Sequence, residues 1–305
     1  MMKNYLIGAL LPVVIMSGCK SSNSNDSLRD PVSDTGISAA IQANLPLGAM
    51  QSQVAASVYK DGVKQPLVGG DIFKAYSEST STILRSIENL SGDYVSELNT
   101  LNPGFGVNFE VEFDPQAARE DRWYPADTLV VDPGPSDLIG YSAHVDFPAE
   151  LRLASPQAGE VYLDRSDQIM LSWNASADTE QIRITSIQQC DYPGGALEWA
   201  RSFTYPTDTG TQSIPVGDLV PSTGLLNSVA TIVGQLSVIL SSLAIEAITY
   251  GLVDAKPINI SDYQVQTCTI TLTVFREVAG QLGAGVTGGY AIASTSDSVS
   301  VVFQP

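Results

Sequence analysis

Three carboxylates stand close together in the run Val107 to Asp114. Glu110, Glu112 and Asp114, with Asn108, alternate with Val107, Phe109, Val111 and Phe113. On a strand that alternation puts every acidic side chain on one face. Hard oxygen ligands brought together in this way suit calcium. Asp127, Asp132 and Asp137 follow in a Pro-rich stretch and enlarge the acidic set. The same pattern is also what a solvated acidic face looks like, and the residue types alone leave both readings open. Paired carboxylates could serve glycoside hydrolysis, but that chemistry needs two groups at a set separation, and nothing in the spacing defines such a pair.

Two further motifs carry less chemistry than they suggest. His144 is the only histidine, no G-x-S-x-G run accompanies it, and a zinc site built on it would be poor in ligands. It reads as a structural side chain. Gly283-Ala284-Gly285-Val286-Thr287-Gly288 fits G-x-G-x-x-G, yet a dinucleotide site needs a helix to open next and present its N-terminus to the pyrophosphate. Tyr290 to Thr295 reads as a strand, so the run reads as a glycine-rich hairpin loop. Leu163-Asp164-Arg165-Ser166-Asp167 resembles a calcium-binding cadherin element, with Ser166 where that family has Glu.

The elements that would position these residues are strands. Val54 to Val58 is followed by Asp61-Gly62, a two-residue hairpin signal. Leu67 to Ala75 resumes a strand, with Gly69-Gly70 marking a bulge or close approach. Ser81 to Leu98 reads as two strands about Ser91-Gly92-Asp93. In the second half, Ile169, Leu171 and Trp173 face one way and Met170, Ser172 and Asn174 the other. Strands around Ile182–Cys190, Trp199–Tyr205, Thr211–Val216, Cys268–Val274 and Val299–Phe303 follow. Short strands at this spacing, with a Trp on an early one, argue for an immunoglobulin-type β-sandwich. Gly224 to Tyr250 breaks the pattern: it carries one charge, Glu246, and an apolar stripe of Leu225, Val229, Ile232, Leu236, Ile239 and Leu243. It reads as a long apolar helical insertion that covers the sandwich, docks on a partner or spans a bilayer.

The start of the chain supplies an address. Lys3, the apolar run Tyr5 to Ile15 and the small residues before Cys19 have the build of a secretory signal. Met16-Ser17-Gly18-Cys19 resembles the lipobox of bacterial lipoproteins, with Met where leucine is usual. The resemblance implies cleavage before Cys19, lipid on its sulfur and anchoring by several acyl chains. Lys20, in place of the aspartate that retains such proteins at the inner membrane, points to the outer membrane. Ser21 to Asp34 is rich in Ser, Asn and Asp and reads as a flexible tether. With Cys19 lipidated, Cys190 and Cys268 remain, in a compartment that permits disulfides. They are expected to pair; two buried thiols are the alternative.

The chain of 305 residues has 15 Lys+Arg against 33 Asp+Glu, a formal net charge of −18. That argues against nucleic acid and against an anionic membrane face. Asp61-Gly62 with Leu67-Val68-Gly69-Gly70-Asp71, the Pro148/Pro156 join with Ile169 to Trp173, and the ending Cys268 to Val274 through Gly288-Gly289-Tyr290 to Pro305 resemble a group of proteobacterial lipoproteins with tandem immunoglobulin-like sandwiches. That resemblance implies no activity. The expected organisation is a signal peptide over 1–18, a tether over 19–36, a β-sandwich over 37–150 and an immunoglobulin-like sandwich over 151–305 with a helical insertion at 223–251. The expected function is non-enzymatic: an envelope lipoprotein, anchored in the membrane by lipid, offering a surface to a protein or glycan partner and needing no cofactor beyond, at most, calcium at Glu110, Glu112 and Asp114. The alternatives are an accessory subunit docking through 224–250 and a carboxylate-dependent hydrolase.

Overall fold

The computed structural model describes residues 28–29, 32–67, 70–78, 80–86, 92–99, 106–114, 136–192, 195–220 and 265–305. The expected signal peptide over 1–18, Cys19, most of the expected tether, Asp127, Asp132 and the helical insertion expected at 223–251 lie outside the described residues. The described chain is mainly β. Its first strands are β1 (Ile37–Pro46), β2 (Gln51–Lys60), β3 (Val63–Gln65), β4 (Asp71–Ser77), β5 (Thr80–Ser86), β6 (Asp93–Asn99), β7 (Val107–Phe113) and β8 (Ser142–Val145). Then come β9 (Leu153–Ser155), β10 (Val161–Tyr162), β11 (Gln168–Trp173), β12 (Gln181–Tyr192), β13 (Gly195–Tyr205), β14 (Thr211–Pro215), a single-turn helix α1 (Val216–Leu219), β15 (Thr267–Ala279), β16 (Gln281–Leu282) and β17 (Val286–Phe303). No helix among the described residues is long and apolar enough to cross a membrane.

Local chemistry accounts for the early strands. Asp61 (φ 50°) and Gly62 (φ 75°) both take the left-handed region, so the two-residue β2–β3 turn matches the right-handed twist of its strands. Asp61 Oδ1 also accepts from the Gly36 amide at 2.8 Å, tying the turn to the entry of β1. Strands β5 and β6 pair across the region read as a turn. On β7 the alternation holds: Val107, Phe109 and Val111 are buried, and Asn108, Glu110 and Glu112 lie on the opposite, part-exposed face.

A continuous path runs β17-β1-β2-β6-β5-β4-β7-β8-β16. Its two ends are the two arms of one hairpin. Strand β1 pairs in parallel with the first part of β17, from Ile37↔Val286 to Pro46↔Ser296, and β16 pairs with β8. The first core therefore draws on both ends of the chain: Ile41, Val54, Phe73, Leu98, Phe109 and Val145 are joined there by Ala291 and Ala293, with Val278, Leu282 and Val286 packed against them. Residues from 278 to 293 thus complete the core that residues 37–145 begin. Small side chains on β1 suit its place between β2 and β17: Ser38, Ala39, Ala40 and Ile41 are buried on both faces.

The second core lies between two sheets. One is β13-β12-β15-β17, continuous with the path above, and β10 joins β17 in parallel through Val161↔Val302 and Tyr162↔Phe303. The other is the three-stranded β14-β11-β9. Ile169, Leu171 and Trp173 from β11, with Ile214 from β14, meet Ile182, Ile184, Ile270, Leu272, Val301 and Phe303 from the larger sheet, while Met170 on the far face of β11 is 54% exposed.

Candidate functional site

Those sequence-nominated residues that are described have definite places. Glu112 is bound by Lys74 Nζ at 3.0 and 3.2 Å, and Asp114, just past β7, donates its amide to the Gly70 carbonyl. Asp137 pairs with Lys60. Among the described residues no group of three or more His, Cys, Asp or Glu side chains is placed to hold a metal ion. Glu110 and Glu112 share the part-exposed face of β7, where Glu112 is paired with Lys74. In the stretch resembling a cadherin element, the Asp167 carboxylate accepts from the Leu163 and Asp164 amides, and Asp164 accepts from the Ser166 amide and hydroxyl. The backbone and hydroxyl of Ser166 hold the Asp164 carboxyl below its ordinary range. His144 Nδ1 lies 2.9 Å from Asn108 Oδ1 and its Nε2 lies 3.2 Å from Asp146 Oδ1, which is a structural role.

The glycine run spans the loop between β16 and β17, residues 283–285, and the first residues of β17, and its glycines answer to packing. Gly285 turns the chain at φ +90°. A Cβ on Gly283 would meet the Ser142 carbonyl at 2.7 Å, and one on Gly289 (φ +92°) would run into the Ala39 carbonyl. The register of β1 on β17 slips by one residue at Thr287, between Ile37↔Val286 and Ser38↔Gly288. Glycine lets the two backbones approach where the extra residue bulges.

Cys190 and Cys268 stand directly opposite each other on β12 and β15 and are joined by a disulfide, their Cα atoms 4.0 Å apart. The bridge links neighbours within one sheet, in the closely spaced kind of antiparallel pair, near the end of both strands.

The most concentrated polar chemistry was not nominated by the sequence. It is the dipeptide Arg276-Glu277, whose two side chains leave β15 on opposite faces and are both wholly buried. Arg276 Nε donates to Asp208 Oδ2 at 3.0 Å. Its Nη1 donates to the carbonyls of Ala149 and Glu150, each at 2.9 Å, and its Nη2 donates to the Asn174 carbonyl. Asp208 accepts in turn from Trp173 Nε1 at 2.7 Å, the Ser176 and Gly210 amides and the Thr179 hydroxyl. Burial works to raise the Asp208 carboxyl; these donors and Arg276 outweigh it and hold the group below its ordinary value. This guanidinium fastens the connection between the two cores, at 149–150, to the end of β11.

On the other face, Glu277 fills its acceptor sites. Oε1 takes Arg183 Nε at 2.7 Å and Arg29 Nη2 at 2.8 Å; Oε2 takes Gln181 Nε2 at 2.8 Å and Arg29 Nη1 at 3.1 Å. Arg183 also stacks 4.1 Å over the Phe275 ring, and Arg29 lies 5.8 Å from the centre of the Tyr290 ring. Burial pushes the Glu277 carboxyl up, but Arg183 and Arg29 prevail and bring it down to about 2 from an ordinary 4.5. A carboxylate so held is a poor base. What it does well is clamp three segments: β12, β15 and the residues ahead of β1.

The sign of the resulting pH dependence follows from that depression. Stability from Glu277 is fully present above pH 4.5 and is lost as pH falls from there toward 2. The groups facing it are Arg183, Arg29 and Gln181, of which none titrates in this window. Acid unfolding followed in urea at pH 5, 4 and 3 is expected to show this loss, on the order of 3 kcal/mol in full. Glu277→Gln is expected to flatten the acid limb, and an unchanged limb would refute the assignment.

No protein-family model matches the chain, and no curated protein matches it in sequence. The functional reading rests on the residues themselves.

Proposed function

We propose that this chain is a non-enzymatic, lipid-anchored protein of the bacterial cell envelope, at the outer membrane, whose β-sandwich modules serve as a binding or structural surface for a protein or glycan partner. The observation that carries the reading is how the cysteines are used. Cys190 and Cys268 are consumed by one disulfide, the mark of an oxidising, exported compartment. Of the chain's 3 cysteines this leaves Cys19 alone, at the end of the lipobox-like run. The polar chemistry of the body points the same way, since Glu277 and Asp208 are saturated with donors and join segments together.

An immunoglobulin-type second module belongs to the same proposal. It is supported by β14-β11-β9 packed against β13-β12-β15-β17, with β10 running parallel to β17 at the sheet edge. The bridge within one sheet differs from the antibody pattern, which joins the two sheets. The test is lipidation. Cells fed labelled palmitate are expected to label the wild-type chain, while Cys19→Ser loses the label and moves from the membrane to the soluble fraction. A wild-type chain that takes up no label and fractionates as soluble would sink the reading.

A further inference from the structure

We propose that Arg29 is a latch: it seats the segment ahead of β1 in a guanidinium socket at the junction of the two cores, and so fixes where the anchored terminus leaves the body. For its consequence at the membrane this rests on Cys19 bearing the lipid. The socket is built from parts of both modules. Glu277, its side chain 1% exposed, offers both oxygens to the two Nη atoms of Arg29 in a fork-to-fork pair at 2.8 and 3.1 Å. Tyr290 on β17 supplies an aromatic face. Arg183 and Gln181 on β12 hold the carboxylate in place from the other side. The Arg29 side chain is itself only 18% exposed. A Ser- and Asn-rich segment has little apolar surface with which to dock, Leu28 and Val32 being part-buried, so one planar cation in a prepared site is its strongest hold.

The latch sets a length. Cys19 and Arg29 are ten residues apart, a reach of at most about 35 Å. With Arg29 released the chain is next held at Ser33, whose amide donates to Ser38 Oγ; that is fourteen residues from Cys19, a reach of roughly 50 Å. A seated Arg29 keeps the body close to the bilayer; a released one lets it stand off. The same contact gives the body a preferred face toward the membrane, because the terminus leaves from the side of β15 and β17 that carries Glu277 and Tyr290.

Trypsin reads the latch directly. Lys20 and Arg29 are the only basic residues between Cys19 and Lys60, so cleavage after Lys20 is an internal control for cleavage after Arg29. The ratio is measured on the detergent-solubilised mature protein and normalised to a synthetic peptide of residues 19–36, which carries the intrinsic preference of each site. Cleavage after Arg29 is expected to be suppressed roughly tenfold or more relative to the peptide, since it tracks the open population. Glu277→Gln is expected to remove most of the protection. Arg29→Lys, which keeps the trypsin site but cannot make the forked pair, gives an intermediate ratio and covers the case in which the Glu277 variant fails to fold. A wild-type ratio equal to that of the peptide, or protection unchanged in Arg29→Lys, overturns the latch. Mass analysis of the Cys19-Lys20 fragment from the same digest reports acylation separately. A fragment without acyl mass and an intact protection ratio counts against the lipid reading alone; an acylated fragment without protection counts against the latch alone.

Discussion

Replacing both Cys190 and Cys268 with alanine is expected to lower the melting temperature by roughly 10 °C or more. The bridge closes a loop spanning a sequence separation of 78 residues, and the chain-entropy model gives about 4–5 kcal/mol for a loop of that size. The enclosed segment holds the end of β12, all of β13 and β14, and α1, so much of the second module loses unfolded-state constraint at once. Both cysteines are wholly buried in the second core, and alanine leaves a small apolar side chain there without adding a polar group. Register contributes as well, because the bond fixes Cys190 against Cys268 and hence every pair from Gln181↔Glu277 to Asp191↔Thr267. The measurement is a thermal melt of the variant beside the oxidised and reduced wild type. A difference under about 2 °C would mean that sheet pairing alone holds this end of the fold.

Arg276→Met is expected to cost about 3–5 kcal/mol, because removing one partner of a buried pair leaves the other charge uncompensated. Asp208 would keep Trp173, Thr179 and the Ser176 and Gly210 amides, but it loses its buried countercharge; the Asn174 carbonyl loses the guanidinium, and the Ala149 and Glu150 carbonyls are left with Thr295 Oγ1 and Asn174 Nδ2. Arg276→Lys is expected to rescue only part of this. A lysine has three donors on a single nitrogen, whereas the guanidinium reaches four acceptor groups in different directions. Urea unfolding gives the loss in stability. Amide exchange at 146–152 gives its location, with faster exchange expected there before the centre of either core. A cost under 1 kcal/mol, or exchange that quickens evenly across the chain, would show that the arginine is not what joins the modules.

Much of the architecture was legible because alternation is a local signal. The apolar face of β7, the in-and-out pattern of β11 and the Asp61-Gly62 turn each need only a few neighbouring residues to be read. The cysteine pair was legible by count and by placement on strands of similar period. The shared hairpin was not, since Ile37 and Val286 carry no local mark of being partners. Nor was the glycine run fully explained by its hairpin turn; the bulge and the approach of β1 come from a strand near the other end of the chain. Arg276-Glu277 escaped notice for a different reason. Charged residues after Val274-Phe275 look like the end of a strand, and only the burial of both faces of β15 at the junction makes them interior. The signal available was their position: two opposite charges between Phe275 and Val278, inside an otherwise apolar run. Arg29 was hidden by composition, a single cation in a segment too polar to fold by itself. For Glu112 nothing in the sequence marked its partner, because Lys74 is supplied across the strand pair by β4.

The long reach of β17 bears on how the chain acquires its shape. Strand β1 lies at the beginning of the described body, yet its neighbours from Ile37 to Pro46 are β2 on one side and, on the other, residues as late as Ser296. An N-terminal fragment made first has no way to bury Ala39, Ile41 and Ala43 as they are buried here, and its sheet keeps an open edge. Closing so large a loop must precede the reward from those contacts. The first core is therefore complete only once residues 278–296 have joined it, so a chain truncated before β15 is expected to leave β1 unpaired on that side.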